Sequence, residues 1–164
     1  MRLFFSLLMA TLVAACDGGG SAVKLNTGDP APDFSARRLS GGQVSFPDDL
    51  RGKPVVVRFW ADWCRYCEGE MKSIEQVYRR RQGQGLNVLA VNVGQDEKTV
   101  DAFMRKIGVS YPALIDEEAG IAGKYGVIAL PTTYFIDAKG VVRGKVLGEA
   151  DEATFDKLAG DLLQ

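Results

Sequence analysis

The chain has 164 residues, 46% hydrophobic and 25% charged, enough for one domain with a real core. Its 20 basic and 21 acidic residues give a formal charge of −1, without the basic stripe of a nucleic-acid binder. With no histidine and three cysteines, Ser–His and Cys–His catalytic pairs are excluded, and a zinc site would lack ligands.

Residues 1–15, "MRLFFSLLMATLVAA", carry one basic residue, Arg2, and then an apolar run broken only by Ser6 and Thr11. A bilayer-spanning helix needs about 20 apolar residues, so this run reads as an export signal. Val13-Ala14-Ala15-Cys16 is similar to the lipobox of bacterial lipoproteins, which implies that Cys16 is lipidated and becomes the new N-terminus. The plainer alternative is a cleaved signal followed by a chance cysteine. Asp17 resembles the inner-membrane retention signal of enteric bacteria. That implies a protein lipid-anchored on the periplasmic side of the cell inner membrane. Residues 16–30 then read as a flexible Gly/Ser-rich tether, and residues 31–164 as the folded domain. Setting Cys16 aside leaves Cys64 and Cys67 as an isolated pair in an oxidising setting.

"PDFSARRLSGGQVSF" predicts a β-hairpin around Gly41-Gly42, and "PVVVRFW" (54–60) a buried, β-branched strand. The period then becomes helical. Cys67, Glu70, Met71, Ile74, Val77 and Tyr78 share one face of a helix ending near Gly83. "LNVLAVNV" (86–93) is a second buried strand, and "DEKTVDAFMRKIG" an amphipathic helix closed by Gly108. "YPALID" is extended and "EAGIAGKYG" a short helix. "TTYFID" and "VVRGKVLG" form a hairpin around Ala138-Lys139-Gly140, and a last helix follows Asp151 as its N-cap. The order predicts an α/β fold: a central mixed sheet flanked by helices, with an N-terminal β-hairpin extension.

The stretch "WADWCRYCEGEM" carries the chemistry. Cys64 is expected in the first turn of the helix, where unpaired N–H groups and the helix dipole favour a thiolate. It would then be the nucleophile, with Cys67 one turn later resolving the mixed disulfide. Half a metal site is a poor reading without further ligands, and no cofactor is expected beyond the dithiol. An inert disulfide would gain little from so short a loop.

"FWADWCRYC" with the downstream "YGVIALPTTYFID" resembles the thioredoxin superfamily. More narrowly, the chain is similar to exported, membrane-tethered thiol–disulfide oxidoreductases of the TlpA/ResA type. The likeness spans about residues 28 to 160 and includes "GDPAPDFSA", "VNVGQDE" and "LIDEEAG". It implies a thioredoxin-like fold, and a site of Trp63, Cys64, Cys67, Glu70 and Pro131. Pro131 would be a cis-proline lying against the disulfide, with the Leu130 backbone pairing an extended substrate. From the residues alone, Leu130-Pro131 only precedes a strand, and an ordinary trans proline is the alternative. Glu70 matches a family glutamate and stands on the apolar helix face, where burial would raise its pKa and suit it to proton exchange. A solvated rim residue is the bland alternative. The implied partners are exported proteins with cysteine pairs, including apocytochromes c, and a membrane electron donor of the DsbD/CcdA type. The implied activity is reduction of disulfides.

Two positions depart from the family pattern. Arg65-Tyr66 stands between the cysteines where many members have a proline before the second. Arg58 replaces the buried acid of thioredoxin. Arg58 either pairs with Glu70 beneath the disulfide or extends its stem to solvent. The chain also lacks the acidic residue beside the cis-proline found in the cytochrome-maturation branch. Rival functions are a thiol peroxidase, a metal-carrier lipoprotein and a lipoprotein with an inert disulfide. "GDPAPDFSARRLSGGQVSF" resembles peroxiredoxin openings, but the P-x-x-x-T-x-x-C context of a peroxidatic cysteine is missing. A copper carrier would want a histidine.

Overall fold

The computed structural model describes residues 24–164. The expected export signal, Cys16 and the first part of the tether lie outside the described residues. Seven strands and four helices follow in the predicted order. They are β1 (Phe34–Arg38), β2 (Gln43–Phe46), β3 (Val55–Trp60), α1 (Cys67–Arg81), β4 (Asn87–Val93) and α2 (Glu97–Ile107). After these come β5 (Ala113–Asp116), α3 (Gly120–Lys124), β6 (Thr132–Ile136), β7 (Val142–Leu147) and α4 (Glu152–Asp161).

The strands form one mixed sheet in the order β2-β1-β5-β4-β3-β6-β7. β3–β4 and β4–β5 are parallel, and the other pairings are antiparallel. The N-terminal hairpin joins through β1 to β5. β3 lies between β4 and β6, so all six of its residues are buried. Its alternation divides the core. Val56 and Trp60 pack beneath α1, α2 and α4, while Val55, Val57 and Phe59 meet the hairpin and α3 on the other face. Arg58 falls on the first face, and this register places a charge under α1.

Local signals set the helix ends. The Asp96 and Asp151 carboxylates accept the N–H groups of Thr99 and Thr154, each at 2.8 Å. Gly108 closes α2 at φ 67°, a left-handed conformation that glycine adopts without penalty. At the buried start of α3, Asp116 accepts the N–H groups of Ile121 and Ala122.

Two boundaries differ from expectation. Residues 24–30, expected in the tether, belong to the domain. Leu25 is buried in the second core, the Gly28 N–H donates to Val142 O, and Pro30 bridges Val141. A few scattered apolar residues in a Gly-rich stretch gave little sign of that docking. Cys64 does not stand in the first turn of α1, which begins at Cys67 with Tyr66 as N-cap. Residues 61–66 instead form tight turns, with the Cys64 N–H donating to Ala61 O and the Cys67 N–H to Cys64 O.

Candidate active site

β3 ends at Trp60, and the chain turns back over the edge of the sheet before entering α1. Cys64 and Cys67 flank that turn and are joined by a disulfide, with Cα atoms 5.4 Å apart. Cys64 is 6% exposed and Cys67 is fully buried. Of the two residues only Cys64 has any exposed surface, which favours its sulfur as the attacked and attacking atom. Trp63 and Tyr66 beside it are exposed, Trp63 at 69%.

The register brings Pro131 to the same end. Phe59 pairs with Thr132, so the preceding Pro131 stands level with Trp60, where β3 gives way to the cysteine turn. The Leu130–Pro131 peptide is cis, as the family likeness implies. Pro131 is buried and its carbonyl accepts the Gly148 N–H at 2.8 Å. Leu130 packs against both cores. A second cis proline, Pro47, had no signal in the sequence.

Beneath the disulfide, Arg58 does not reach solvent. Its Nη1 and Nη2 donate to Glu70 Oε1 and Oε2, both at 2.7 Å, and Nη1 also donates to Thr133 Oγ1 at 2.8 Å. The two side chains are 0% and 1% exposed. Glu70 Oε1 also accepts the Ala150 N–H at 3.3 Å. The fork therefore ties β3, α1, β6 and the loop before α4 into one buried knot. Glu70 is thus the partner of Arg58, neither a rim residue nor an unpaired buried acid. Thr133 and Ala150 could not be found from sequence spacing, because strand register and chain return bring them in.

Two further buried polar groups went unread. Glu75 sits on the buried side of α1 and accepts the Ser110 N–H and hydroxyl at 2.9 and 2.8 Å, besides Arg79 Nε. Tyr111, whose ionisation burial pushes up, donates its hydroxyl to Met71 O at 2.9 Å. Around the turn itself, Gln95 Oε1 accepts the Asp62 N–H and Asn92 Nδ2, each at 2.9 Å. Glu68, on the outer side of α1, holds its carboxyl below the usual range through hydrogen bonds from Lys106 and then Lys72. Among the described residues, no three His, Cys, Asp or Glu gather to hold a metal ion.

Residues 27–145, well over half of the chain, match the AhpC/TSA family. The thiol–disulfide oxidoreductase ResA of Geobacillus thermodenitrificans is 40% identical over 121 residues, covering 74% of this chain and 69% of the relative. ResA of Bacillus subtilis is 33% identical over 129 residues, 79% of this chain and 72% of the relative. Among solved structures, a putative thiol:disulfide interchange protein DsbE from Chlorobium tepidum superposes with a TM-score of 0.81 at 26% identity. That match covers 86% of this chain and all of the other. The cysteine pair at the sheet's edge and these relatives agree: the chain belongs to the AhpC/TSA family of the thioredoxin superfamily, as a thiol–disulfide oxidoreductase of the ResA/DsbE type.

Proposed function

We propose that the protein is an exported reductase of protein disulfides, tethered through Cys16 on the periplasmic side of the inner membrane. One observation carries the choice of a polypeptide substrate. The large exposed hydrophobic residues among those described are Trp63, Tyr66, Ile128 and Leu147. Trp63 and Tyr66 flank Cys64, Ile128 leads into Leu130-Pro131, and Leu147 pairs with Thr132 at the same end of the sheet. Apolar exposure gathered around a reactive sulfur suits an unfolded or extended chain, whose own apolar side chains it would cover.

In the cycle we propose, the Cys64 thiolate attacks one sulfur of the substrate disulfide and expels the other as a thiolate. Cys67 then attacks Cys64, releasing the substrate dithiol and forming the Cys64–Cys67 disulfide. Leu130 would pair the substrate backbone and Pro131 would bound the site. Glu70 would act as a positioning residue, holding α1 and so Cys67 against β3. A membrane thiol donor of the DsbD/CcdA type would return the two electrons, and apocytochromes c are among the substrates that the family likeness suggests. No helix among the described residues is long and apolar enough to cross a membrane.

The test is the redox state of the pair in living cells by thiol trapping. A reductase keeps Cys64 and Cys67 mostly as thiols, and a mostly oxidised pair would instead mark an oxidant. Serine at position 16 should release or misprocess the protein; unchanged membrane fractionation would contradict the anchor. Peroxide consumption by the reduced protein at a rate rivalling disulfide reduction would favour the peroxidase alternative.

A further inference from the structure

The cysteine turn is gripped from outside by one residue. Between β3 and α1, residues 61–66 bond among themselves through the Cys64 N–H and pass to α1 through the Cys67 N–H. Among the described residues, the side-chain hydrogen bonds that reach this turn from another element come from Gln95. Its Oε1 accepts the Asp62 N–H at 2.9 Å, and its Nε2 donates to Asp62 Oδ1. Gln95 stands between two fixed neighbours. The Gly94 N–H donates to Asp116 O at 2.9 Å, and Asp96 caps α2. The clamp is thus mounted on the sheet and on the start of α2.

A backbone N–H can only donate, so the Asp62 N–H fixes which way the Gln95 amide faces. Asn92 Nδ2 donates to the same Oε1 at 2.9 Å and braces it. Asn92 is fully buried on β4, level with Trp60 on β3, and its Oδ1 has no hydrogen-bond partner. Trp60 Nε1 has none either. Burying a half-satisfied amide costs stability that an apolar side chain would not. The side-chain bond this asparagine does make goes to the residue that grips the cysteine turn. Packing does not account for it, and positioning does.

We propose that Gln95, braced by Asn92, is a positioning residue for the resolving step. The proposal rests on the cycle above, in which Cys64 attacks and Cys67 resolves. While the disulfide is closed, the bond between the two sulfurs itself holds the turn. Once it opens, the grip on Asp62, two residues before Cys64, keeps the Cys64 sulfur within reach of Cys67. In the mixed disulfide, the Cys67 thiolate attacks Cys64 and the bond from Cys64 to the substrate breaks. The substrate sulfur leaves as a thiolate and takes a proton from water. Over the two steps the dithiol is oxidised and the substrate disulfide reduced by the same two electrons. A turn already in place presents Cys64 to Cys67 at high effective concentration. A loosened turn must be reordered each time the disulfide closes.

The experiment equilibrates the full-length protein with reduced and oxidised glutathione. It also follows how fast the mixed disulfide with a protein substrate resolves, with Tm measured beside. Gln95→Ala and Asn92→Val should each slow resolution and lower the equilibrium constant for closing the Cys64–Cys67 disulfide. For Gln95→Ala the fall should be about fivefold or more, the cost of ordering one further residue. Gln95→Glu should also lower the constant, because two carboxylates then face each other. Adding Asp62→Asn to Gln95→Glu reverses the polarity of the bond and should restore the constant. An unchanged constant and rate in both Gln95→Ala and Asn92→Val would overturn the proposal. So would losses that the reversed pair does not restore, or that only mirror a fall in Tm, since the clamp would then be structural alone. A wild type that reduces no disulfide would instead overturn the oxidoreductase reading itself.

Discussion

The two ends of α1 carry the same chemistry in opposite surroundings. At the N-terminal end, Glu70 meets Arg58 with no solvent at either side chain. At the C-terminal end, Arg81 grips Asp156 at 2.9 and 2.8 Å and Arg80 meets Glu152 at 2.8 Å, all partly exposed. Each arrangement ties α1 to a neighbour. Water decides what each is worth: an exposed pair gains about 0–1 kcal/mol, while breaking a buried one leaves an uncompensated charge. The disulfide sits at the buried end. The site's geometry is therefore fastened by the costly pair, and the cheap pairs hold α1 against α4.

The largest way to break this contrast is Glu70→Ala, which strands Arg58 in the core. We expect a loss of about 3–5 kcal/mol, read as a fall in Tm of about 10 °C or more. Arg58→Met with Glu70→Leu should recover most of that stability, because a well-packed apolar pair often matches a buried ion pair. A double variant as unstable as the single one would mean that the knot's hydrogen bonds, not the stranded charge, carry the cost. Next comes Asp151→Ala, which removes the α4 cap beside Ala150, the residue whose N–H reaches Glu70. Losing such a cap destabilises the helix, and denaturant titration should show a lowered midpoint.

The outer pairs should yield less. Arg81→Ala should cost about 1 kcal/mol or less, and Arg80→Ala, at a more exposed pair, should lower Tm by less. Their dependence on acid has a definite sign. The Arg81 guanidinium holds the Asp156 carboxyl below its ordinary value of 3.8. The stabilisation is then fully present above that ordinary value and is lost as pH falls through the lowered one. The Tm gap between wild type and Asp156→Asn should accordingly shrink from neutral pH toward about pH 3. A gap that widens on acidification would contradict the assignment.

Much of this was legible in the chain. Strand and helix periods gave the order of elements, and the Cys64/Cys67 spacing gave the reactive pair, because both depend on neighbours in sequence. The Arg58–Glu70 pair was half legible: two awkward charges, one on a buried strand and one on an apolar helix face, had reason to meet. Escape along the sheet was an equal alternative, since a long arginine stem can carry its guanidinium to solvent even from a buried strand. Thr133 and Ala150 were invisible, because their approach depends on β6 register and on where the chain returns from β7. Glu75 was missed for a related reason. Its partner Ser110 lies 35 residues away, and an acid next to arginines on a helix reads as exposed. Leu25 was absorbed into a tether by the composition around it.

The central claim is that the slightly exposed Cys64 attacks and the buried Cys67 resolves. Trapping tests it most directly. The full-length Cys67→Ser variant, expressed in its host and isolated under acid quench, should carry substrate proteins in disulfide linkage to Cys64, detectable by mass shift on a non-reducing gel. The Cys64→Ser variant should carry none. Trapped partners on Cys64→Ser with none on Cys67→Ser would reverse the roles and contradict the account.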